Sequence, residues 1–338
     1  MDFVNNGKER TAMKGTYEIR IENRRMQYKF RIKRNITVIR GDSATGKTTL
    51  VDMIQEYNDN GPESGIILQC DRECIVLSGR FWKQDLAQIS NSIVFIDEGN
   101  RFVVSEEFAR LIQNTDNYYV LITRERIENI PYSVEEIYGI RTSGKFGTLQ
   151  KAYHEMYRIY PDTAILPERQ PDQVITEDSN SGYQFFQSIC ENVNINCVSA
   201  NGKSNIFSYL ARHHSESMLV IADGAAFGPE IGKIAELLKY HKNIYVYLPE
   251  SFEWMLLSSG IFEQKQLKEI LANPADFIEC RDYFSWEQYF TSLLITYSQH
   301  TIWAYAKKRL NPLYLHEGNR NRILAVSPFI SHWLKGDD

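Results

Sequence analysis

The sequence lacks any unbroken apolar run near the ~20 residues that a membrane-spanning helix needs. Its opening, Met1-Asp2-Phe3-Val4-Asn5-Asn6-Gly7-Lys8, holds no apolar core of the kind a secretion signal carries, which predicts a cytoplasmic location and no membrane partner. Cysteine is sparse: Cys70, Cys74, Cys190, Cys197 and Cys280 make no CxxC pair. The Cys70/Cys74 spacing has no second Cys or His pair downstream to complete a zinc site, so reduced thiols are expected. No internal repeat, low-complexity tract or nucleophile-elbow pattern occurs. With 43% apolar and 24% charged residues, disorder and fibre are excluded, and 338 residues leave room for two domains.

What is present is unevenly charged. Residues 1–40 hold eleven Lys/Arg against four Asp/Glu, a net of +7, and the remainder carries −12. A basic front on an acidic body permits one local anionic contact or a solvated basic face. Tyr17, Ile19 and Ile21, then Met26, Tyr28, Phe30 and Ile32, alternate with polar residues across a turn at Asn23-Arg24-Arg25. This period of two predicts a hairpin with one buried face. Ile36–Ile39 reads as a buried central strand. Strands and helices then alternate to about residue 123, predicting an α/β domain with a largely parallel sheet. Three prolines, Pro161, Pro167 and Pro171, mark a linker, after which a second alternation begins. The expected organisation is a first domain over 1–160, a linker over 161–173, a second α/β domain over 174–280 and a mainly helical extension over 281–338.

Gly41-Asp42-Ser43-Ala44-Thr45-Gly46-Lys47-Thr48 matches GxxxxGK[ST] at every fixed position, with a strand before it and a helix from Thr49 onward. Glycines let successive backbone N–H groups point at phosphates, and the helix N-terminus adds partial positive charge. Lys47 then reaches the β/γ-phosphates of ATP and Thr48 offers a hydroxyl to Mg²⁺. Fifty residues on, the apolar strand Ser92–Ile96 ends in Asp97, which would hold the Mg²⁺, and Glu98, which would polarise the attacking water. The strand Tyr119–Thr123 ends at Arg124, a candidate γ-phosphate sensor with Arg126 behind it, or a plain surface arginine.

The hairpin, the Gly46-Lys47-Thr48-Thr49-Leu50 loop end, the Asp97-Glu98 strand and the Thr123-Arg124 strand resemble an ABC-type ATPase core, as in SMC-like and OLD-family ATPases. The resemblance covers residues 16–126 and departs at three places. The fifty residues between motifs leave no room for the family's helical subdomain. Leu77-Ser78-Gly79-Arg80 is similar to the LSGG signature with Arg80 for its second Gly, and Arg124 stands at the family's switch histidine.

In the second half, Val174–Thr176 ends at Glu177 and Leu219–Ala222 ends at Asp223. Strand ends of an open parallel sheet line a ligand crevice, so these carboxylates either converge on Mg²⁺ or cap separate helices. Glu177, Asp223-Gly224-Ala225, Phe227–Ile231 and Pro249–Trp254 resemble a Toprim domain over 172–258. The resemblance implies a metal site at Glu177 and Asp223 with Glu253 as a further acid. Ala225 replaces the second Asp of the DxD pair, leaving a nuclease in which Glu230 or Glu253 compensates, or a module that only binds. The order of the two resemblances matches OLD-family proteins. It implies an ATPase acting on DNA or RNA in repair or anti-phage defence, as a homo-oligomer or with a partner protein. The alternative is an ATP-driven switch without nuclease activity. Beyond residue 300, Lys307, Lys308 and Arg309 lie among Trp303, Tyr305 and Tyr314, which reads as core aromatics beside a solvated basic face or as a single-strand binding surface.

Overall fold

The computed structural model describes residues 13–41, 45–143, 151–160, 170–327 and 330. The fold is mixed α/β, and the chain divides into two compact units. One takes Met1–Asn129, Tyr138–Tyr157 and Ala275–Phe284, the other Ile130–Ile137, Arg158–Pro274 and Ser285–Asp338. Residues 161–169 of the expected linker lie outside the described residues. Among the described residues no helix is long and apolar enough to cross a membrane.

The first unit is built on a nine-stranded sheet. Its elements are β1 (Tyr17–Glu22), β2 (Met26–Ile32), β3 (Ile36–Ile39), α1 (Lys47–Asn60), β4 (Ile67–Gln69), β5 (Cys74–Val76), α2 (Trp82–Leu86), β6 (Ile93–Ile96), α3 (Glu106–Ile112), β7 (Tyr118–Ile122), β8 (Ile137–Ser143) and β9 (Ala152–Arg158). The strand order is β4-β1-β2-β9-β8-β3-β7-β6-β5. β3, β7, β6 and β5 are mutually parallel, and β3, β7 and β6 are buried at every position, as central strands of a parallel sheet should be. The hairpin β1–β2 has the expected register, Tyr17 opposite Ile32 and Glu22 opposite Gln27.

The sheet is less uniformly parallel than alternation alone predicts. β4 pairs antiparallel with β1, and β9, which carries no clean period, pairs parallel with β2. The hairpin is thereby part of the same sheet. The sheet curls around α1, whose Leu50, Val51, Met53 and Ile54 are buried with Ile19, Ile21, Phe30 and Phe95. Phe30 on β2 meets Phe95 on β6 edge-on at 6.4 Å, and Tyr17 on β1 meets Tyr118 on β7 at 5.5 Å. Each fully buried ring of this kind contributes roughly 2–3 kcal/mol of transfer free energy.

The second unit carries a four-stranded, wholly parallel sheet. Its elements are β10 (Gln173–Thr176), α4 (Ser181–Asn192), β11 (Asn196–Ser199), α5 (Lys203–Arg212), β12 (Met218–Ile221), α6 (Gly228–Tyr240), β13 (Ile244–Tyr247), α7 (Phe252–Ser258), α8 (Lys265–Ala272), α9 (Trp286–Ser298) and α10 (Glu317–Ala325). The order is β11-β10-β12-β13. A parallel neighbour needs a crossover, and α4, α5 and α6 supply one after each strand. Ser285 opens α9 with a capping box to Gln288.

Candidate functional site

In the first unit, β7 separates β3 from β6, so the ends of all three strands lie along one edge of the sheet. β3 delivers the chain to Gly41, and the described residues resume at Thr45; Asp42, Ser43 and Ala44 of the motif lie outside them. Gly46 has φ +90° and starts α1. A Cβ there would stand 2.7 Å from Tyr28 Oη and 3.1 Å from His154 Cε1, so both backbone and space demand glycine. Tyr28 Oη donates to Gly46 O at 2.8 Å, and its ring stacks on His154 at 4.4 Å.

Lys47 is 5% exposed, and its Nζ donates to Gly41 O at 2.9 Å and Thr45 Oγ1 at 3.1 Å. These bonds hold the ammonium across the loop. Thr49 follows in the first turn of α1, where no acidic residue offsets the helix dipole.

Asp97 leaves the end of β6. Its side chain hydrogen-bonds Thr48, while Oδ1 is buried without a partner. Burial pushes its carboxyl above the usual range, against the opposing effect of the Glu98 backbone N–H and Thr48. An orphaned carboxylate oxygen beside a threonine hydroxyl fits a hard cation with oxygen ligands. Arg124 is carried to this edge by β7, where its Nε meets Glu98 Oε1 at 2.9 Å. The two residues expected to act on the attacking water and the γ-phosphate therefore bind each other. Arg126 is exposed nearby in sequence. Gly79 of the signature-like segment donates to Asn100 Oδ1 at 3.2 Å, and Asn100 in turn bonds Asp97 O.

In the second unit, β10 and β12 pair with Thr176 level with Ile221. The residues just beyond emerge side by side, and Asp223 N–H donates to Glu177 Oε2 at 3.2 Å. The two residues thus meet although they lie 46 positions apart, each carboxylate accepting a backbone N–H. Asp223 Oδ1 accepts from Phe252 N–H at 3.2 Å, which brings in α7. Glu253 on that helix is 2% exposed and accepts from Tyr305 Oη at 2.7 Å; Tyr305 Oη also lies 2.7 Å from Ser181 Oγ. Lys307 Nζ bonds Glu287 at 2.8 Å. Glu177, Asp223, Glu253, Ser181 and Lys307 line one cavity of about 40 Å³, room for a few waters. Glu230 is not among its lining residues.

Burial raises Asp223 well above its ordinary range, reinforced by the charges of Glu287, Glu177 and Glu253 and opposed by Lys307. Burial also holds Glu177 at about 6, partly offset by Lys203 and the Asp223 N–H. Burial opposes the charge of Lys307, but Glu287, Glu253 and Asp223 outweigh it and push its pKa up. Lys307 is the one lysine among the pocket's lining residues, against several carboxyl groups. Among the described residues no group of three or more His, Cys, Asp or Glu side chains is arranged to hold a metal ion. Ala225 is 3% exposed, so a buried methyl, with no ligating atom, stands two residues after Asp223. This donor set does not fit two magnesium ions.

A carboxyl whose pKa is raised by folding stabilises the fold while protonated. That contribution is full below the ordinary value of 4.5 and is lost as pH rises through about 6. The shift amounts to about 2 kcal/mol. Between pH 5 and 7, wild type is expected to lose a few degrees of melting temperature more than Glu177→Gln does. Identical pH profiles for the two proteins would contradict this placement of Glu177.

Glu287, Lys307, Tyr305 and Ser181 were not legible as site residues. Ser181 and Lys307 line the pocket, and Tyr305 and Glu287 are tied to it through their bonds to Glu253 and Lys307, contacts between residues far apart in sequence. Tyr305 and Tyr314 are 8% and 0% exposed, in line with the core reading of those rings rather than a stacking surface. No protein-family model, curated protein or solved structure matches the chain.

Proposed function

We propose that the chain is a magnesium-dependent ATP hydrolase that acts with nucleic acid, its first unit binding the nucleotide. The observation that carries this is Asp97, with an orphaned buried oxygen and a bond to the Thr48 hydroxyl, at the mouth of a loop spanned by Lys47. Lys47 exchanges the Gly41 carbonyl and Thr45 hydroxyl for phosphate oxygens of higher charge. The loop and the α1 N-terminus bind the phosphates, and Thr48 and Asp97 would hold Mg²⁺. The ion, when bound, neutralises charge on the β/γ-phosphate oxygens. Glu98 must leave Arg124 to polarise the attacking water. That pair is largely exposed, so releasing it costs no more than about 1 kcal/mol.

For the second unit, Ala225 and the lysine that lines the pocket favour the reading in which a Toprim-like module binds a nucleic-acid or protein partner without cutting. Phosphodiester cleavage that is lost in Glu177→Gln would overturn that reading. The ATPase assignment is tested by Glu98→Gln. Turnover is expected to fall by roughly 10²-fold or more, with ATP affinity kept within a few-fold. Unchanged turnover removes Glu98 from the mechanism.

A further inference from the structure

The first unit holds a pair of thiols that the nucleotide site does not use. β4 and β5 are the two outermost strands of the nine-stranded sheet, yet only residues 70–73 connect them. Five backbone steps from Gln69 to Cys74 span at most ~18 Å, so the curl of the sheet brings its two edges together at this loop. Cys70 closes β4 and Cys74 opens β5. Both side chains line one groove, and each sulfur perturbs the other.

The two sulfurs differ in surroundings. Cys74 is 1% exposed and packs in the core around α1; its Sγ also lies 3.9 Å from Arg72 O. Cys70 is half-buried, and it borders a groove of about 390 Å³ that Cys74, Tyr57, Asn58 and Arg72 also line. The Cys74 thiol and the backbone N–H groups of Arg72 and Asp71 surround the Cys70 sulfur. These donors favour a thiolate and bring Cys70 down to about 7, against burial and the charge of Asp71. The Cys74 thiol is pushed up, first by Cys70 and then by burial. The chain thus sets an accessible nucleophilic sulfur beside a protonated, sheltered one.

We propose that Cys70 and Cys74 form a peroxide-oxidisable dithiol, with Cys70 the attacking sulfur and Cys74 the resolving one. The Cys70 thiolate attacks one oxygen of hydrogen peroxide or an organic hydroperoxide. The O–O bond breaks, the leaving oxygen departs as water or alcohol after taking a proton, and Cys70 becomes a sulfenic acid. The Cys74 sulfur then attacks Cys70 Sγ. The S–O bond breaks, a water leaves with the Cys74 proton, and a disulfide forms. The two thiols lose two electrons and the peroxide gains them. Thiol reductants reverse the change.

Cys190 and Cys197 serve as an internal comparison. Cys190, like Cys74, is buried and its thiol is raised, first by Cys197 and then by burial, and the half-buried Cys197 stands where Cys70 stands in the first pair. The Cys70–Cys74 disulfide closes a very short loop, so it changes global stability little. Its local consequence falls on α1, because Asn58 Nδ2 donates to Cys74 O at 2.9 Å and Asn58 Oδ1 accepts from Val76 N–H at 3.3 Å.

The test uses the full reduced chain and about one equivalent of hydrogen peroxide, followed by alkylation and trypsin digestion without reduction. Cleavage after Arg72 separates the two cysteines, so the disulfide appears as peptide Thr48–Arg72 linked to peptide Glu73–Arg80. That linked pair is expected as the main oxidation product, absent after dithiothreitol. Cys74→Ser is expected to accumulate a dimedone-reactive sulfenic acid at Cys70. Cys70→Ser is expected to slow the fastest-reacting thiol at pH 7 by roughly tenfold or more. Oxidation spread over Cys197 and Cys280, or a Cys70→Ser protein reacting at the wild-type rate, overturns the proposal. If either variant does not fold, the wild-type peptide map decides alone. None of these readouts involves ATP, so the outcome is independent of the nucleotide-site proposal.

Discussion

Lys47→Ala is expected to lower ATP turnover by at least roughly 10²-fold. The side chain is 5% exposed and held by Gly41 O and Thr45 Oγ1, so its ammonium is already placed at the loop before any ligand arrives. A preplaced charge stabilises developing negative charge on transferring phosphate without reorganisation at the moment of reaction. Alanine removes that charge and two hydrogen bonds but leaves Gly46, Thr48 and α1 in place. Folding should therefore survive, and a matched melting curve separates lost chemistry from lost structure. Steady-state phosphate release at saturating ATP and Mg²⁺ is the measurement. Equal turnover by wild type and Lys47→Ala would place the hydrolysis elsewhere or deny it altogether.

A large loss of stability is expected from Gly224→Ala, next to Asp223. A Cβ at Gly224 would stand 2.6 Å from Leu248 O and 2.9 Å from Pro249 O. Both are backbone atoms of the segment that leaves β13, so no side chain can swing away. Gly224 N–H also donates to Pro249 O, and Gly224 O accepts from Val134 N–H at 3.1 Å. Relief of the overlap must push the 248–252 segment outward and stretch the bond from Phe252 N–H to Asp223. Overpacking of this kind costs about 1–3 kcal/mol, and contact with backbone puts this case at the upper end. The unit's melting temperature should fall by roughly 5–10 °C. Gly318→Ala on α10 is the control. It meets nothing within 4 Å and should be neutral or slightly stabilising. Equal melting of both variants would contradict the close approach at Gly224.

The parts of the fold legible in sequence are those that bury both faces. Ile93–Ile96 and Met218–Ile221 are continuous apolar runs and Ile36–Ile39 is one but for Thr37, and each is a strand buried at every position. The hairpin was legible because one face is core and the other solvent. β9 was not, because Ala152–Arg158 is only partly buried on either face, so its hydrophobicity shows no period. Nothing in Ile67–Gln69 says that it pairs with β1 rather than with the parallel strands, because edge pairing depends on the curl of the whole sheet.

The same division holds at the sites. Glu177 and Asp223 were legible because strand ends of a parallel sheet share one crevice, and their contact through the Asp223 N–H follows from the register of β10 and β12. Lys47, Thr48 and Asp97 were legible from motif spacing. The pairing of Arg124 with Glu98 was not, because both side chains are long and exposed and their partner is chosen by local charge. Lys307 was legible only as part of a basic cluster. Its role as the pocket's own cation depends on Glu287, twenty positions away.

The most direct test of the account is a calorimetric titration of ATP into wild type and Asp97→Asn, each with and without Mg²⁺. Wild type is predicted to bind ATP at least roughly tenfold more tightly with Mg²⁺ than without, a difference of about 1.4 kcal/mol. Asp97→Asn is predicted to lose that difference. Absence of ATP binding by wild type, or a magnesium effect that survives in Asp97→Asn, would contradict the nucleotide site at Gly41–Thr48 and Asp97.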